Sequence, residues 1–320
     1  MDYNVLGDTG LIVSELGFGA SGIGGMFDEA DESEAIKTVR QAFDRGINYF
    51  DTSPAYGRNN SSFGPATSET TLGKGLKTID RSKIILSSKA GKTASLPPKF
   101  NFTYNAIINS VEASLKRLQT DYIDMVFLHD IEYDGGKYLN IALNEGLNAL
   151  EKLKNEGKIR FFGISCYSIE VLHKVLDNHD MDTILIHNHY TLINDELLEL
   201  IPKINSKGIG LVSASPFASG LLTSKGPPDW YPVTKKELYH VKEALDFCSK
   251  KKIQIEKIAL QFAMDNPQIP TTLFSCTNRK ILDKNIDWFE EPLDSIMVAQ
   301  VCSILEPLRN LDFDFGAYNQ

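Results

Sequence analysis

Cysteine is scarce in this chain: four in 320 residues, at Cys166, Cys248, Cys276 and Cys302, with no Cys-x-x-Cys pair. Such wide spacing gives neither a disulfide framework nor a thiolate metal cage, and it suits reduced thiols in a cytosolic protein. Positive charge is in deficit. Lys and Arg number 33 against 42 Asp and Glu, a net charge of −9. A surface of this sign repels phosphate backbones, which excludes generic nucleic-acid and anionic-membrane binding and leaves room only for a small anion in a local pocket. Apolar runs long enough to span a bilayer are missing. Met1-Asp2-Tyr3-Asn4 has neither a basic stretch nor an apolar one, so the expectation is a cytoplasmic protein without a secretory leader. Linkers and low-complexity segments are absent too. What remains is an ordinary globular composition, 42% hydrophobic and 23% charged, in a chain long enough to bury a large core unaided.

Short β-branched runs alternate with helical patterns along the whole length. The reading gives strands over 16–19, 47–50, 83–88, 122–128, 161–165, 183–187, 210–215 and 270–274. A helix capped by Ser33 carries Ile36, Val39 and Phe43 on one face and stops at Gly46. Thr103 caps another, striped by Ile107, Val111, Leu115 and Leu118. Further helical patterns cover 69–76, 143–154, 169–176, 196–204, 237–248 and 256–264, with tails around Ile281 and Met297. Strand–helix alternation implies parallel strands, and eight such units without a compositional break favour a closed (β/α)8 TIM barrel in a single domain over 1–320. Apolar residues flanking Asp8-Thr9-Gly10, between Tyr3 and Val13, read as a β-hairpin ahead of the barrel. A monomer or weak oligomer is expected.

Gly17-Phe18-Gly19-Ala20-Ser21-Gly22 spells G-x-G-x-x-G. A dinucleotide-binding turn of that type opens a helix at its third glycine, with an acid about 20 residues on. Here the chain runs on through Gly24, Gly25 and an acidic stretch, and the nearest acid ending a strand is Asp51. The segment reads as a flexible loop over the barrel mouth, compatible with a cofactor near Gly19.

In a barrel, chemistry belongs at the carboxyl ends of the strands. Asp51 ends the second strand, Tyr56 follows it, Lys89 ends the third and His129 the fourth. Singly, each has a plain structural explanation: a turn acid, a packing ring, a solvated charge, a satisfied core histidine. Together on one rim they make a set for moving a proton beside a carbonyl or hydroxyl. A phenol of pKa ~10 is a poor acid or base near neutrality. An ammonium about 4 Å away, worth roughly 4 kcal/mol at an effective dielectric of 20, is expected to lower it by up to about three pH units. Asp51 would hold Lys89, and His129 would position the reacting oxygen.

These residues resemble the aldo-keto reductase superfamily over almost the whole chain. The likeness is carried by residues 46–57, Ser68-Glu69, Leu72-Gly73-Lys74, Ser88-Lys89, and Asp121-Tyr122-Ile123-Asp124 leading to Leu128-His129. It implies a nicotinamide cofactor, with Tyr56 as general acid/base, Lys89 tuning it, Asp51 supporting Lys89 and His129 orienting substrate. It places the cofactor against Gly19, Ser165, Ser215, Phe217, Leu221, Ser275, Thr277 and Asn285. The nicotinamide cradle departs from the family pattern: Cys166, His187 and Ala214 stand where Asn, Gln and Tyr are usual. After the eighth strand, Ser275 replaces a lysine and Ile281 an arginine. The loss of charge-assisted contacts to a 2′-phosphate favours NAD, with NADP open because Arg279 and Lys280 lie near. His187 and His189 share a strand face, but no third ligand appears and no metal is expected.

A narrower likeness lies in Leu128-His129-Asp130-Ile131-Glu132, in Ser213-Ala214-Ser215-Pro216 with Gly220-Leu221-Leu222-Thr223, and in Gly226-Pro227-Pro228-Asp229-Trp230-Tyr231-Pro232. It resembles NAD-linked aldose 1-dehydrogenases and implies oxidation of an L-galactose-like aldose at C1 to the lactone. The proline-rich segment then forms a stiff wall over the sugar, or else a surface turn with Trp230 packed on the barrel. Two alternatives stand beside this. One is an NADPH-dependent aldehyde or ketone reductase. The other is an accessory subunit that binds the cofactor without turnover.

Overall fold

The computed structural model describes residues 1–27, 30–57, 66–93, 95, 98–228 and 231–311. Asp229 and Trp230 of the proline-rich wall lie outside the described residues. Strands β1 (Tyr3–Val5) and β2 (Ile12–Ser14) pair antiparallel. Eight parallel strands follow: β3 (Leu16–Gly19), β4 (Tyr49–Asp51), β5 (Ile85–Ala90), β6 (Ile123–His129), β7 (Ile159–Cys166), β8 (Thr183–His187), β9 (Gly210–Ala214) and β10 (Thr271–Ser275). They close into a barrel in the order β10-β3-β4-β5-β6-β7-β8-β9. The (β/α)8 barrel with its N-terminal hairpin is therefore the architecture found.

The outer helices are α1 (Glu32–Asp44), α2 (Thr67–Leu76), α3 (Tyr104–Leu118), α4 (Leu147–Asn155), α5 (Ile169–Asn178), α6 (Leu197–Ser206), α7 (Lys235–Lys250), α8 (Ile255–Met264), α9 (Arg279–Glu290) and α10 (Ser295–Leu305). None of the described helices is long and apolar enough to cross a membrane. Caps differ in detail from expectation. Asp31, not Ser33, caps α1, its carboxylate accepting the Glu34 N–H at 2.8 Å. Thr103 holds the cap position of α3, but its hydroxyl turns to Asn101 Oδ1 at 2.8 Å and caps nothing.

The hairpin is a plug, not a prefix. A 3-10 turn over Gly7–Thr9, closed by Gly10 at φ 69°, replaces a tight two-residue turn. Leu6, Leu11 and Val13 then enter the barrel's amino end and pack with Tyr49, Met125 and Phe127. Each such fully buried side chain contributes roughly 1.5–3 kcal/mol. The fit is tight: a Cβ on Gly7 would lie 2.5 Å from the Gly210 nitrogen.

With its amino end filled, the barrel keeps its main cleft at the carboxyl rim. Three residues there adopt the left-handed region, each directly after a strand: Asp130 at φ 54°, Asn188 at 61° and Ser215 at 68°. Such non-glycine conformations cost about 1–3 kcal/mol each and concentrate at functional sites. The glycine motif opens no helix, since α1 starts only at Glu32. Gly22 instead donates its N–H to Ser275 Oγ at 2.7 Å, where a Cβ would meet the Cys276 carbonyl at 2.6 Å. The missing side chain lets this loop lie against the end of β10.

Candidate active site

Asp51 is the last residue of β4, Lys89 the penultimate residue of β5, and His129 the last of β6. Lys89 has no exposed surface, and Asp51 is 3% exposed. Two charges so buried must be paired and hydrogen-bonded. Lys89 Nζ donates to Asp51 Oδ2 at 2.5 Å and to the Thr52 carbonyl at 3.0 Å. The other Asp51 oxygen accepts from Ser87 Oγ at 2.6 Å, and Tyr49 Oη lies 3.0 Å from that hydroxyl. Ser87 and Lys89 are two apart on one strand, so pleating turns both the same way. Burial pushes the Asp51 carboxyl up, and Lys89 pulls it back.

Tyr56 follows β4 and faces the cleft. Lys89 Nζ sits over its ring, 4.8 Å from the centroid, and His129 meets the ring edge-on at 5.8 Å and 87°. The sequence leads one to expect a phenol lowered by Lys89. The structure reverses that: burial, then the Asp51 and Asp130 carboxylates, hold Tyr56 well above the ordinary phenol value. The ammonium is already balanced by Asp51 at 2.5 Å, and little of its field is left for the phenol.

His129 is 3% exposed, and burial with the Lys92 and Lys89 charges holds its imidazole well below the ordinary value. It is neutral, so its tautomer matters. Its Nδ1 lies 3.0 Å from Ser53 Oγ, which itself accepts the Ala55 N–H at 3.0 Å. In the tautomer in which Ser53 gives its proton to Nδ1, the ring proton is on Nε2. Asp130 Oδ1 is 3.7 Å from Nε2, beyond hydrogen-bond reach. The Nε2–H is thus left as a donor for a substrate oxygen. Asp130 is itself paired with Lys92 through its other oxygen.

From this rim a cleft of about 430 Å³ runs outward. Asp51, Tyr56 and His187 line its inner end, and Ile281, Lys284, Asn285 and Trp288 its far end. Of the residues that the family likeness assigns to a cofactor, Gly19, Ser215, Phe217, Ser275, Thr277 and Asn285 line this cleft. Ser165 and Leu221 are fully buried and do not line it; the Ser165 hydroxyl lies 3.5 Å from His187 Nε2, and Leu221 belongs to a neighbouring apolar cluster. His187 stacks on Tyr167, centroids 4.9 Å apart, and burial takes its imidazole down to about 3. His189 turns to Glu196 and to the Tyr167 carbonyl, away from His187. Among the described residues no cluster is placed to hold a metal ion.

The residues suit an elongated dinucleotide. The cleft joins the proton-handling rim to a distant end lined by Lys284 and Trp288, with Lys284 Nζ 4.7 Å from the Trp288 ring centroid. There Asn285 Oδ1 is buried without a partner, an acceptor fit for an adenine amino group. Sequence reasoning missed Ser53, Ser87, Asp130 and Lys92. The two-residue alternation before Lys89 is a usable sign for Ser87; nothing comparable marks the others.

Comparison with known proteins gives the family. The model of the aldo/keto reductase family matches residues 15–306. An L-galactose dehydrogenase of Arabidopsis thaliana is 38% identical, over 99% of this chain and 98% of that protein. A D-threo-aldose 1-dehydrogenase of a Pseudomonas species is 32% identical over 68% of this chain and 70% of its own. An aldo-keto reductase from Bacillus halodurans, solved in its holo form, superposes with a TM-score of 0.74 at 27% identity, covering 97% of this chain and 96% of that one. The chain belongs to the aldo/keto reductase family and is an NAD(P)-dependent oxidoreductase.

Proposed function

We propose that this protein is an aldose 1-dehydrogenase that uses NAD to oxidise an L-galactose-like sugar at C1 to the lactone. The observation that carries the chemistry is the meeting of Tyr56, Lys89, Asp51 and His129 at the inner end of the cleft. The substrate class draws support from the two aldose dehydrogenases among the relatives. The choice of NAD draws support from uncharged Ser275 and Ile281 in the cleft wall.

In this reading His129 Nε2–H holds the C1 oxygen, and Tyr56 exchanges the proton of that oxygen. Lys89 and Asp51 fix the phenol's surroundings from below. The bound nicotinamide supplies the acceptor for the hydride leaving C1. Because burial keeps the phenol protonated, oxidation calls for a phenolate that forms only on the alkaline side. The same observation favours a second reading, NADPH-dependent reduction of an aldehyde or ketone, in which a protonated phenol is the required donor.

The deciding experiment is an NAD-reduction screen across a stereochemical panel of free aldoses, repeated with NADP and, in reverse, with simple aldehydes. Turnover concentrated on NAD and one aldose configuration is expected. Efficient aldehyde reduction with NADPH and none on any aldose overturns the proposal in favour of the second reading.

A further inference from the structure

At the cleft's far end, α9 begins directly behind the wall. Thr277 and Ile281 face the cleft, and Arg279 lies between them. Its guanidinium is not turned inward. Glu34, in the first turn of α1, holds it from outside: Arg279 Nε donates to Oε1 at 3.0 Å and Nη2 to Oε2 at 3.1 Å. Oε1 also accepts the backbone N–H of Arg279 at 3.3 Å, and the Asn278 side chain takes that of Ile281 at 3.0 Å. Two of the free N–H groups at the head of α9 are thus already satisfied.

A forked guanidinium beside a helix N-terminus is a strong receptor for a phosphate. Here the protein supplies its own anion to it. The Glu34 carboxylate makes the bidentate contact with Arg279 that a phosphate would make, and the Arg279 bonds hold that carboxyl below the ordinary range, so it stays charged. Lys284 is the cation that lines this end of the cleft, while Arg279 stands behind the wall with its guanidinium already engaged by a carboxylate.

We propose that Glu34 is the residue that discriminates against a 2′-phosphorylated dinucleotide, by occupying Arg279 and the head of α9 as a built-in anion. This rests on the reading of the cleft as a NAD site and gives that preference a specific cause. The α1–α9 contact does not depend on Glu34, because Gln41 and Arg45 bind Asp283 at 2.5 and 2.9 Å and Arg45 binds Asp287 at 2.8 Å.

The test is calorimetric titration of the full chain, without sugar, with NAD and with NADP. The proteins are wild type, Glu34→Gln and the double variant Glu34→Gln/Arg279→Ala. With one charge-assisted contact released to the phosphate, Glu34→Gln is expected to tighten NADP binding about tenfold and to leave NAD binding within a factor of about two. The gain is expected to vanish in the double variant and to shrink at high salt. An unchanged NADP affinity in Glu34→Gln, or a gain that survives loss of Arg279, overturns the proposal. A wild-type chain that binds NADP as tightly as NAD overturns the NAD reading instead, and does so independently of the Glu34 result.

Discussion

Two ion pairs stand at the two ends of one cleft, and they differ in nearly every physical respect. Lys89 and Asp51 meet at 2.5 Å with side chains 0% and 4% exposed, on neighbouring strands of the barrel. Arg279 and Glu34 meet at 3.0 Å with side chains 44% and 29% exposed, on the first turns of two helices. The first pair cannot be solvated if broken, so its geometry is fixed by the core. The second can exchange its partner for water or for a ligand at little cost. The barrel thus places its chemistry where nothing can rearrange, and its choice of cofactor where one side chain can decide.

The sharpest way to break this contrast starts at the rigid end. Tyr56→Phe removes the proton-handling group and keeps the ring against which Lys89 lies. Turnover is expected to fall by about 10²–10⁴-fold, with cofactor affinity in titration largely unchanged. Full activity in this variant would falsify the mechanism. In the wild type, oxidation is expected to accelerate with rising pH on the alkaline side, since the raised phenol must lose its proton.

Stability gives the second contrast. Lys89→Met leaves the Asp51 carboxylate buried and uncompensated, a loss of about 3–5 kcal/mol. Arg279→Ala breaks a solvent-screened pair and is expected to change thermal stability little. Thermal unfolding of the two variants side by side measures the difference. Equal effects would mean that the two ends of the cleft are equally tolerant.

The rigid end was also the legible one. Asp51, Lys89 and His129 each terminate an apolar run, and strand periodicity alone brings such ends to one rim. Eight repeats of that pattern were enough for the barrel. The Glu34–Arg279 pair joins residues 245 apart in sequence, and no local period connects a helix's first turn to another helix so distant. The hairpin was read, but its place was not. That Leu6 and Leu11 plug the barrel depends on packing across β9 and the inner strands, which spacing does not encode. Lys89's effect on Tyr56 failed for a related reason: its charge is balanced by Asp51, and a field in three dimensions cannot be read from one residue's type.

A third carboxylate sharpens the comparison. Glu132 is as buried as Asp51 but has no cation: its backbone-facing oxygen accepts the Tyr167 N–H at 2.5 Å, and Oε2 has no partner. Burial, reinforced by Asp130, pushes this carboxyl from 4.5 up to about 7. A raised carboxyl favours the folded state at low pH, fully below about 4.5, and that contribution is lost as pH climbs through about 7. Glu132→Gln keeps the acceptor for Tyr167 and removes the titration. Its melting temperature at pH 8 is expected to exceed that of the wild type by several degrees, the two converging near pH 5. Parallel curves for the two proteins would contradict the assignment.

The smallest effect probes how far the rigidity of the inner end reaches. Ser53 touches no substrate in the proposed reading; it acts on His129 through one proton. Its Oγ accepts from Ala55 and, in the proposed reading, donates to Nδ1, which keeps the imidazole's own proton on Nε2, toward the substrate side. Ser53→Ala releases that preference, and a neutral imidazole then divides itself between two tautomers, of which only one donates correctly. One net hydrogen bond is worth about 1 kcal/mol, so kcat is expected to fall about fivefold. Ser53→Thr retains the hydroxyl and should restore most of it. The chain has six histidines, few enough for nitrogen-15 spectra to follow the ring of His129. A positioning role requires the Nε2–H signature to weaken in Ser53→Ala and return in Ser53→Thr. A fall in melting temperature with an unchanged ring signature would assign Ser53 to packing alone. The rigidity of the inner end would then stop at the Lys89–Asp51 pair and not extend to the proton on His129.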